Sequence, residues 1–468
     1  MTKTIALLTT LLPNEQEKFS RDCPPMGLLA IAAPLSRSGY DVVLIDPRLE
    51  GDWEKRLKAT VESGVLFAGM SSFIGQNLKN ALSMSRMIKQ ISPQTPVIWG
   101  GPFATSSPEM CLATGLVDFV VMGMGEKVVV SLADALAHSG HVDLPHVSCL
   151  RNGVPSIKEI YRFDGDLDDL DYPLLDLWED GIRMVGSIPI ISSRGCPRNC
   201  AFCYNNTFTG RKKWFQRSAG NVLGEMEHWK QRFGLNSFYF IDDNFLVNTK
   251  RSLHILSAAR DRGYQIDAII GHLNDWRDEV IDLVSQFITA VSFSIESASP
   301  RIQKMVNKPI DLERALQVFE TFTRKGIPKI TTNFMFGFPS ETDEDICANI
   351  AMACRIRSIN PHIRIVPYIY APQPKDDIVP NYPDQCRNID FSIETLSQVD
   401  FSPNRSNLLI GAIRPWMSKD DIQFYIDLEK VWFHYFDYIV RDDQNVDVQE
   451  IVDRDQRLFR LFKDVPAP

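Results

Sequence analysis

Cys196, Cys200 and Cys203 stand in the run Arg194-Gly195-Cys196-Pro197-Arg198-Asn199-Cys200-Ala201-Phe202-Cys203, directly after the apolar, β-branched stretch 188–193. A strand that delivers a tight loop of three thiolates points to iron–sulfur chemistry, because thiolates hold such clusters. Four irons bound by only three protein thiolates leave one iron open for a substrate or cosubstrate. A structural zinc site normally closes with four ligands, and no second cysteine pair or suitably spaced histidine pair follows here. A disulfide framework fits less well, since the other cysteines are scattered, the total of nine is odd and no secretory segment precedes them. A reducing, cytoplasmic setting is expected.

The elements that must position this loop show in the hydrophobic pattern. Residues 1–140 alternate short apolar runs (5–8, 42–45, 65–70, 97–99 and 119–122) with segments of helical length, which predicts a doubly wound, Rossmann-like α/β domain. Its ligands belong at the carboxyl ends of the strands, where glycines gather at 69, 75, 100, 101, 123 and 125. Residues 141–187 are richer in proline, aspartate and other polar residues and read as a linker, with the acidic run 164–173 as a solvated connection. From 188 to 370 six strands (188–192, 238–241, 266–270, 291–295, 330–335 and 363–369) separated by helical segments such as 222–233 and 312–325 suit a β/α barrel. Beyond 371 the chain turns proline-rich and then forms an aromatic, amphipathic helical pattern over 422–440, expected as core or as a cap on the barrel mouth.

Composition narrows the partners. The chain has 468 residues, of which 44% are hydrophobic and 23% charged, an ordinary balance for a multidomain globular protein. A net charge of −9 and a pI near 5.5 argue against a general nucleic-acid binder, and Arg211-Lys212-Lys213 is too short to change that. No run of about twenty apolar residues suggests a membrane span.

In barrels of this kind reactive groups lie at strand carboxyl ends. After the second strand comes Phe240-Ile241-Asp242-Asp243-Asn244-Phe245, where Asp242 or Asp243 is a candidate catalytic carboxylate; alternatively Asp243 and Asn244 cap the following helix. After the fourth, Glu296 follows Phe293-Ser294-Ile295, and a glutamate buried there is costly unless it has a partner. Among the histidines only His272, near the end of the third strand, stands where chemistry is expected.

The C-x3-C-x-F-C run resembles the signature of the radical S-adenosylmethionine (SAM) superfamily, in which SAM chelates the fourth iron through its amino and carboxylate groups. The resemblance places Phe202 beside the adenine and implies an incomplete six-unit barrel. Ile295-Glu296-Ser297-Ala298-Ser299 is similar to the I-E-S-x-S segment, which would bring Glu296 and Ser297 to the SAM ribose and methionyl end, with a cation from the 304–308 segment near its carboxylate. Phe336, Gly337 and Phe338 open a G-x-P-x-E-T segment whose backbone is expected near adenine, although Ser340-Glu341-Thr342 equally reads as a helix N-terminus.

The first domain resembles the cobalamin-binding domain of B12-dependent members of that superfamily. The likeness lies in Pro24-Pro25-Met26-Gly27-Leu28, Gly69-Met70-Ser71-Ser72, Gly100-Gly101-Pro102-Phe103-Ala104-Thr105 and Val121-Met122-Gly123-Met124-Gly125-Glu126. It carries Ser71, Ser72, Gly100, Gly101 and Glu126 over as corrin-contacting positions. No D-x-H-x-x-G element occurs and position 103 is Phe, so cobalamin is expected with its dimethylbenzimidazole displaced and no histidine in its place. A domain that keeps the fold without the cofactor is the alternative.

The resemblance, strongest over 188–342, implies three cofactors: a [4Fe-4S] cluster, SAM and cobalamin. The implied reaction reduces SAM to a 5′-deoxyadenosyl radical that abstracts hydrogen from an unactivated carbon. With cobalamin, methyl transfer to a small molecule of specialised metabolism follows, using a second SAM. Non-methylating oxidation, cyclisation or rearrangement, transfer of another SAM-derived group, and a redox- or B12-sensing role are the alternatives. A reductase such as flavodoxin or ferredoxin is the implied partner.

Overall fold

The structure, a computed structural model, describes residues 3–12, 24–138, 140–399, 411–436 and 447–466. The chain forms two compact units: Met1–Ile188 with Tyr204–Arg217 and Phe391–Gln398, and Pro189–Cys203 with Ser218–Asp390 and Val399–Pro468.

The first unit is built on seven strands: β1 (Thr4–Leu8), β2 (Asp41–Ile45), β3 (Phe67–Ser71), β4 (Val97–Gly100), β5 (Phe119–Val121), β6 (Val147–Arg151) and β7 (Val154–Ser156). Their order is β2-β1-β3-β4-β5-β6-β7, parallel through β5 and antiparallel beyond it. Ile5, Ala6, Leu7 and Leu8 are fully buried, as a central parallel strand covered on both faces requires. The chain leaves β1 for β2 on one side and later adds β3 on the other. The crevice outside the carboxyl ends of β1 and β3 is therefore the switch point where doubly wound folds take ligands. Thr9, Thr10, Ser71 and Ser72 lie there.

Residues 141–187 do not form the expected linker. Asn152 and Gly153, both at positive φ, make the two-residue turn that pairs β6 with β7 and extends the sheet. Within the acidic run, Leu167 packs on Met124 and Phe163, and Asp171 pairs with Arg37, so that stretch is tied to the unit.

Two glycines here are demanded by positive φ and by close neighbours within the protein itself. A Cβ on Gly123 (φ 92°) would fall 2.4 Å from the Tyr161 carbonyl, and one on Gly101 (φ 88°) 2.4 Å from Ser71 Oγ. At Gly100 the nearest atoms are those of Val121, at 3.9 Å. Gly123→Ala is therefore expected to lower stability by about 1–3 kcal/mol or more, whereas Gly100→Ala stays near the parent; urea denaturation of the two variants checks the contrast.

The second unit holds six strands in chain order, parallel from the second to the sixth: Ile188–Ile190, Ser237–Phe240, Gln265–Ile270, Ile288–Ser292, Lys329–Phe336 and Arg364–Ile369. The first and sixth are the edges of the sheet, as in an incomplete barrel. Helix Ala219–Phe233 starts at a Ser218 cap and stops at Gly234 in the left-handed conformation. Helix Asp343–Ile359 begins with a reciprocal Thr342–Asp345 capping box. The C-terminal region is helical at Lys419–Phe436, Val448–Arg454 and Gln456–Phe462, and residues 437–440 of the expected aromatic helix lie outside the described residues. Trp432 packs on Phe334 and Phe336, and its Nε1 donates to the Ile365 carbonyl at 3.0 Å, so this aromatic belongs to the core. No described helix is long and apolar enough to cross a membrane.

Candidate active site

The cysteine loop leaves the end of the first barrel strand and is pinned along its length. Gly195 N donates to Asp243 Oδ2 at 2.9 Å, Asn307 Nδ2 to the Asn199 carbonyl at 2.7 Å, and Ala201 N to the Val306 carbonyl at 2.9 Å. Asp377 N donates to the Ala201 carbonyl at 2.8 Å. Arg198 pairs with Asp275, whose other oxygen accepts Asn244 Nδ2 at 2.8 Å. Asn244 Oδ1 in turn accepts His272 N at 3.1 Å. The loop thus closes on groups that follow the second, third, fourth and sixth strands. Burial pushes the Cys200 thiol up to about 11, with Lys308 opposing and Glu296 reinforcing the shift.

The two candidate aspartates have different surroundings. Asp242 is 2% exposed and accepts Ser192 N at 3.1 Å, Ser192 Oγ at 2.7 Å and Ser193 Oγ. Burial raises its carboxyl above the usual range against those hydrogen bonds and the Arg251 charge. Both oxygens are engaged in fixing the strand end that launches the cysteine loop. Asp243 holds Gly195 N and lies within electrostatic reach of Cys196. Neither aspartate caps the next helix: Asn248 does, accepting Arg251 N at 3.2 Å.

Glu296 is buried beside Lys308, whose Nζ lies 2.8 Å from Oε1, while Asn333 Nδ2 donates to Oε2 at 3.1 Å. Glu296 has φ 63°, a conformation that non-glycine residues keep only where surroundings enforce it. Its backbone supplies that enforcement, donating to the Asn333 carbonyl at 3.1 Å and accepting Met335 N at 2.7 Å. Ser297 faces inward: its hydroxyl donates to Asn349 Oδ1 at 3.0 Å and accepts Ser299 N at 3.1 Å.

Phe202 packs against a cluster of Ala201, Ile302, Val306, Phe338 and Tyr370. Phe336 is fully buried, edge-on to Trp432, whereas Phe338 stacks on Tyr370 with ring centroids 5.1 Å apart. Both backbone groups of Gly337 are held, N–H by Glu341 Oε2 at 2.7 Å and the carbonyl by Trp416 Nε1 at 3.2 Å. Glu341 Oε2 also accepts the Tyr425 hydroxyl at 2.8 Å, and Oε1 is buried without a partner.

Burial pushes the Glu341 carboxyl from 4.5 up to about 7, against the hydrogen bonds from Gly337 and Tyr425. Because the folded value lies above the unfolded one, its contribution to stability is complete below the unfolded value and is lost as pH rises through 7. Glu341→Gln cannot ionise, so its melting temperature relative to the parent is expected to rise between about pH 5 and 8. Paired thermal melts across that range check the slope.

In the first unit Ser72 is buried, its hydroxyl donating to the Gly100 carbonyl at 3.2 Å and accepting Ala104 N at 3.2 Å. Ser71 is half-buried at the end of β3, and Glu126, also half-buried, lies within electrostatic reach of Tyr161. Phe103 is buried.

Sequence reasoning passed over Arg198, Asp275, Asn244 and Asn333 as site groups. Asn244 and Asp275 follow strand carboxyl ends, which was the available signal, whereas Arg198 lies in the cysteine loop and Asn333 inside the fifth strand, and only the folded chain pairs them.

Residues 17–133 match the B12 binding domain family and residues 190–353 the radical SAM superfamily. The chain belongs to the cobalamin-dependent radical SAM enzymes, in which a B12-binding domain precedes a radical SAM domain. Over 368 residues it is 28% identical to an uncharacterized methyltransferase of Pyrococcus horikoshii, covering 76% of this chain and 79% of that one. Over 389 residues it is 25% identical to cytidylyl-2-hydroxyethylphosphonate methyltransferase of Streptomyces wedmorensis, covering 70% and 72%. In fold it resembles the radical SAM methyltransferase TsrM of Kitasatospora setae with cobalamin and a [4Fe-4S] cluster bound, at TM-score 0.66, 16% identity and coverage of 83% and 79%.

The family's cofactors are a [4Fe-4S] cluster, SAM and cobalamin. The donor set fits the cluster. Among the described residues no three Cys, His, Asp or Glu side chains converge on one metal ion, and a cluster needs no such convergence because each thiolate binds its own iron. At the switch point of the first unit, Thr9 Oγ1 is buried without a partner and the Cβ position at Gly100 meets only Val121, which fits a ligand laid over the ends of β1, β3 and β4.

Proposed function

We propose that the chain is a cobalamin-dependent radical SAM methyltransferase acting at an unactivated carbon of a small molecule. The observation that carries this reading is the three-cysteine loop pinned at the barrel mouth, in one chain with a doubly wound switch point. Two relatives matched over 70% or more of this chain are named methyltransferases. When bound, the cluster supplies the electron that opens SAM, and cobalamin supplies the methyl group.

Cys196, Cys200 and Cys203 hold the cluster in this reading. Glu296, fixed by Lys308 and Asn333, presents a carboxylate to the SAM ribose, while Phe202 and Phe338 line the adenine. Asp243 holds the cysteine loop against the second strand, and Asp242 acts through Ser192 and Ser193 to set that loop's start. Ser71, Ser72, Gly100, Gly101 and Glu126 form the cobalamin cleft, Ser72 by tying β3 to the β4 turn. The apolar wall of Ala201, Ile302, Phe338 and Tyr370 excludes water, which a radical reaction needs. The substrate is a small molecule, the electron donor a flavodoxin or ferredoxin, and the setting cytoplasmic without nucleic-acid or membrane partners.

Reduced holoenzyme incubated anaerobically with methyl-labelled SAM tests the reading. Release of S-adenosylhomocysteine in proportion to bound cobalamin is expected. Formation of 5′-deoxyadenosine with no S-adenosylhomocysteine would instead favour a non-methylating reaction.

A further inference from the structure

Arg414 is a buried cation in the second unit with no carboxylate among the described residues to neutralise it. Arg198 and Arg301 pair with Asp275 and Asp345, and Arg251 lies within reach of the Asp242 charge. Arg414 is 3% exposed, yet its one side-chain hydrogen bond to a described residue runs from Nε to the Tyr370 carbonyl at 2.8 Å. Nη1 and Nη2 have no partner among the described residues, and neither is among the atoms sealed from solvent without one. The forked end of the guanidinium is therefore left without a partner among the described residues. Burial pushes its pKa down to about 10, with only Tyr370 opposing the shift. Withdrawing a charge from water with nothing to balance it is expensive, and a guanidinium fork matches the two oxygens of a carboxylate or phosphoryl group.

Its location is at the barrel mouth. Tyr370 directly follows the sixth strand and stacks between Phe338 and Trp416, at 5.1 and 6.2 Å. Trp416, two residues beyond Arg414, donates to the Gly337 carbonyl after the fifth strand, and a Cβ on Gly337 would fall 2.8 Å from Met417 Cε. Phe202 of the cysteine loop joins the same aromatic cluster.

We propose that Arg414 binds an oxyanion of the substrate, a carboxylate or a phosphoryl group, and so fixes which substrate carbon faces the cysteine loop. This rests on the methyltransferase reading and adds a substrate class to it: small molecules bearing one anionic group within reach of the reacting carbon.

Arg414→Gln keeps an N–H for the Tyr370 carbonyl but loses the charge, and Arg414→Lys keeps the charge but loses the fork. Melting of the holoenzyme is compared in methylphosphonate, acetate and chloride at equal ionic strength, and SAM affinity is measured by equilibrium dialysis. Methylphosphonate or acetate is expected to raise the parent melting temperature by about 2 °C over chloride. Arg414→Gln should lose that rise and Arg414→Lys keep part of it, both binding SAM within about twofold of the parent. The more effective anion tells phosphoryl from carboxylate. Removing an unpaired buried charge should also leave Arg414→Gln at least as stable as the parent without added anion.

The proposal is overturned by a parent that shows no anion-specific rise, by an equal rise in Arg414→Gln, or by an Arg414→Gln protein that is strongly destabilised. It is overturned equally by SAM affinity about tenfold weaker in Arg414→Gln, which would assign the guanidinium to the SAM carboxylate. None of these readings needs turnover, so failure of the methyltransferase reading, seen as absent S-adenosylhomocysteine, is distinct from failure at Arg414.

Discussion

Replacing Cys200 by serine is expected to remove the cluster and lower reductive SAM cleavage by at least about a thousandfold, because an alcohol does not substitute for a thiolate ligand on iron. The loop around it should survive. Its anchors are backbone bonds at Gly195, Asn199 and Ala201 together with the Arg198–Asp275 pair, none of which uses a cysteine side chain. Loss of iron and of visible absorbance with an unchanged far-ultraviolet spectrum is the expected combination, and Cys196→Ser and Cys203→Ser should behave alike. Cys354→Ser, in helix Asp343–Ile359, is the control and should keep its iron. A Cys200→Ser protein that still cleaved SAM at the parental rate would remove this loop from the chemistry.

The second large effect is expected at the Glu296–Lys308 pair. With its carboxylate 2.8 Å from the ammonium and both side chains buried, removing either partner strands a charge away from water. Lys308→Met or Glu296→Gln alone should cost about 3–5 kcal/mol of stability. The double variant Glu296→Gln/Lys308→Met should recover most of that, since a buried ion pair replaced as a whole is often neutral. Function should not recover with it. If Glu296 presents its carboxylate to SAM, the double variant folds well and still binds SAM at least tenfold more weakly, on the order of 1.4 kcal/mol. Thermal melts and SAM dialysis on the three variants separate the contributions, and a double variant with parental SAM affinity would leave the pair a purely structural role.

The parallel strands were legible because each is a short, largely apolar run with turn residues at its ends. The fifth barrel strand, expected over 330–335, spans Lys329–Phe336, and its side chains alternate between exposed or half-buried and buried. The cysteine loop was legible for a different reason: three thiols within eight residues, at the end of a strand, can converge on one cluster without help from the rest of the chain. The β6–β7 hairpin was missed although Asn152-Gly153 between β-forming segments is a strong turn signal, because proline and aspartate around it were weighed as linker composition. Directions of side chains were the least legible. Ser297 belongs to the right segment, yet its hydroxyl turns to Asn349 on a helix 52 residues further on, a pairing that exists only once that helix is docked. Asp242 and Asp243 are adjacent in sequence but part company just beyond the second strand, one enclosed by serines while its neighbour reaches the cysteine loop. Arg414 gave no sequence signal at all, since an arginine in a proline-rich segment looks like a solvated one.

The most direct test of the two-cofactor account is cofactor content after anaerobic purification with iron, sulfide and hydroxocobalamin supplied. About four irons and about one cobalamin per chain are expected, with the visible spectrum showing both, and with cobalamin falling in Gly123→Ala while iron holds. A full complement of iron with no retained cobalamin would contradict the account, leaving the first unit a fold without its cofactor and the chain a radical SAM enzyme of another reaction.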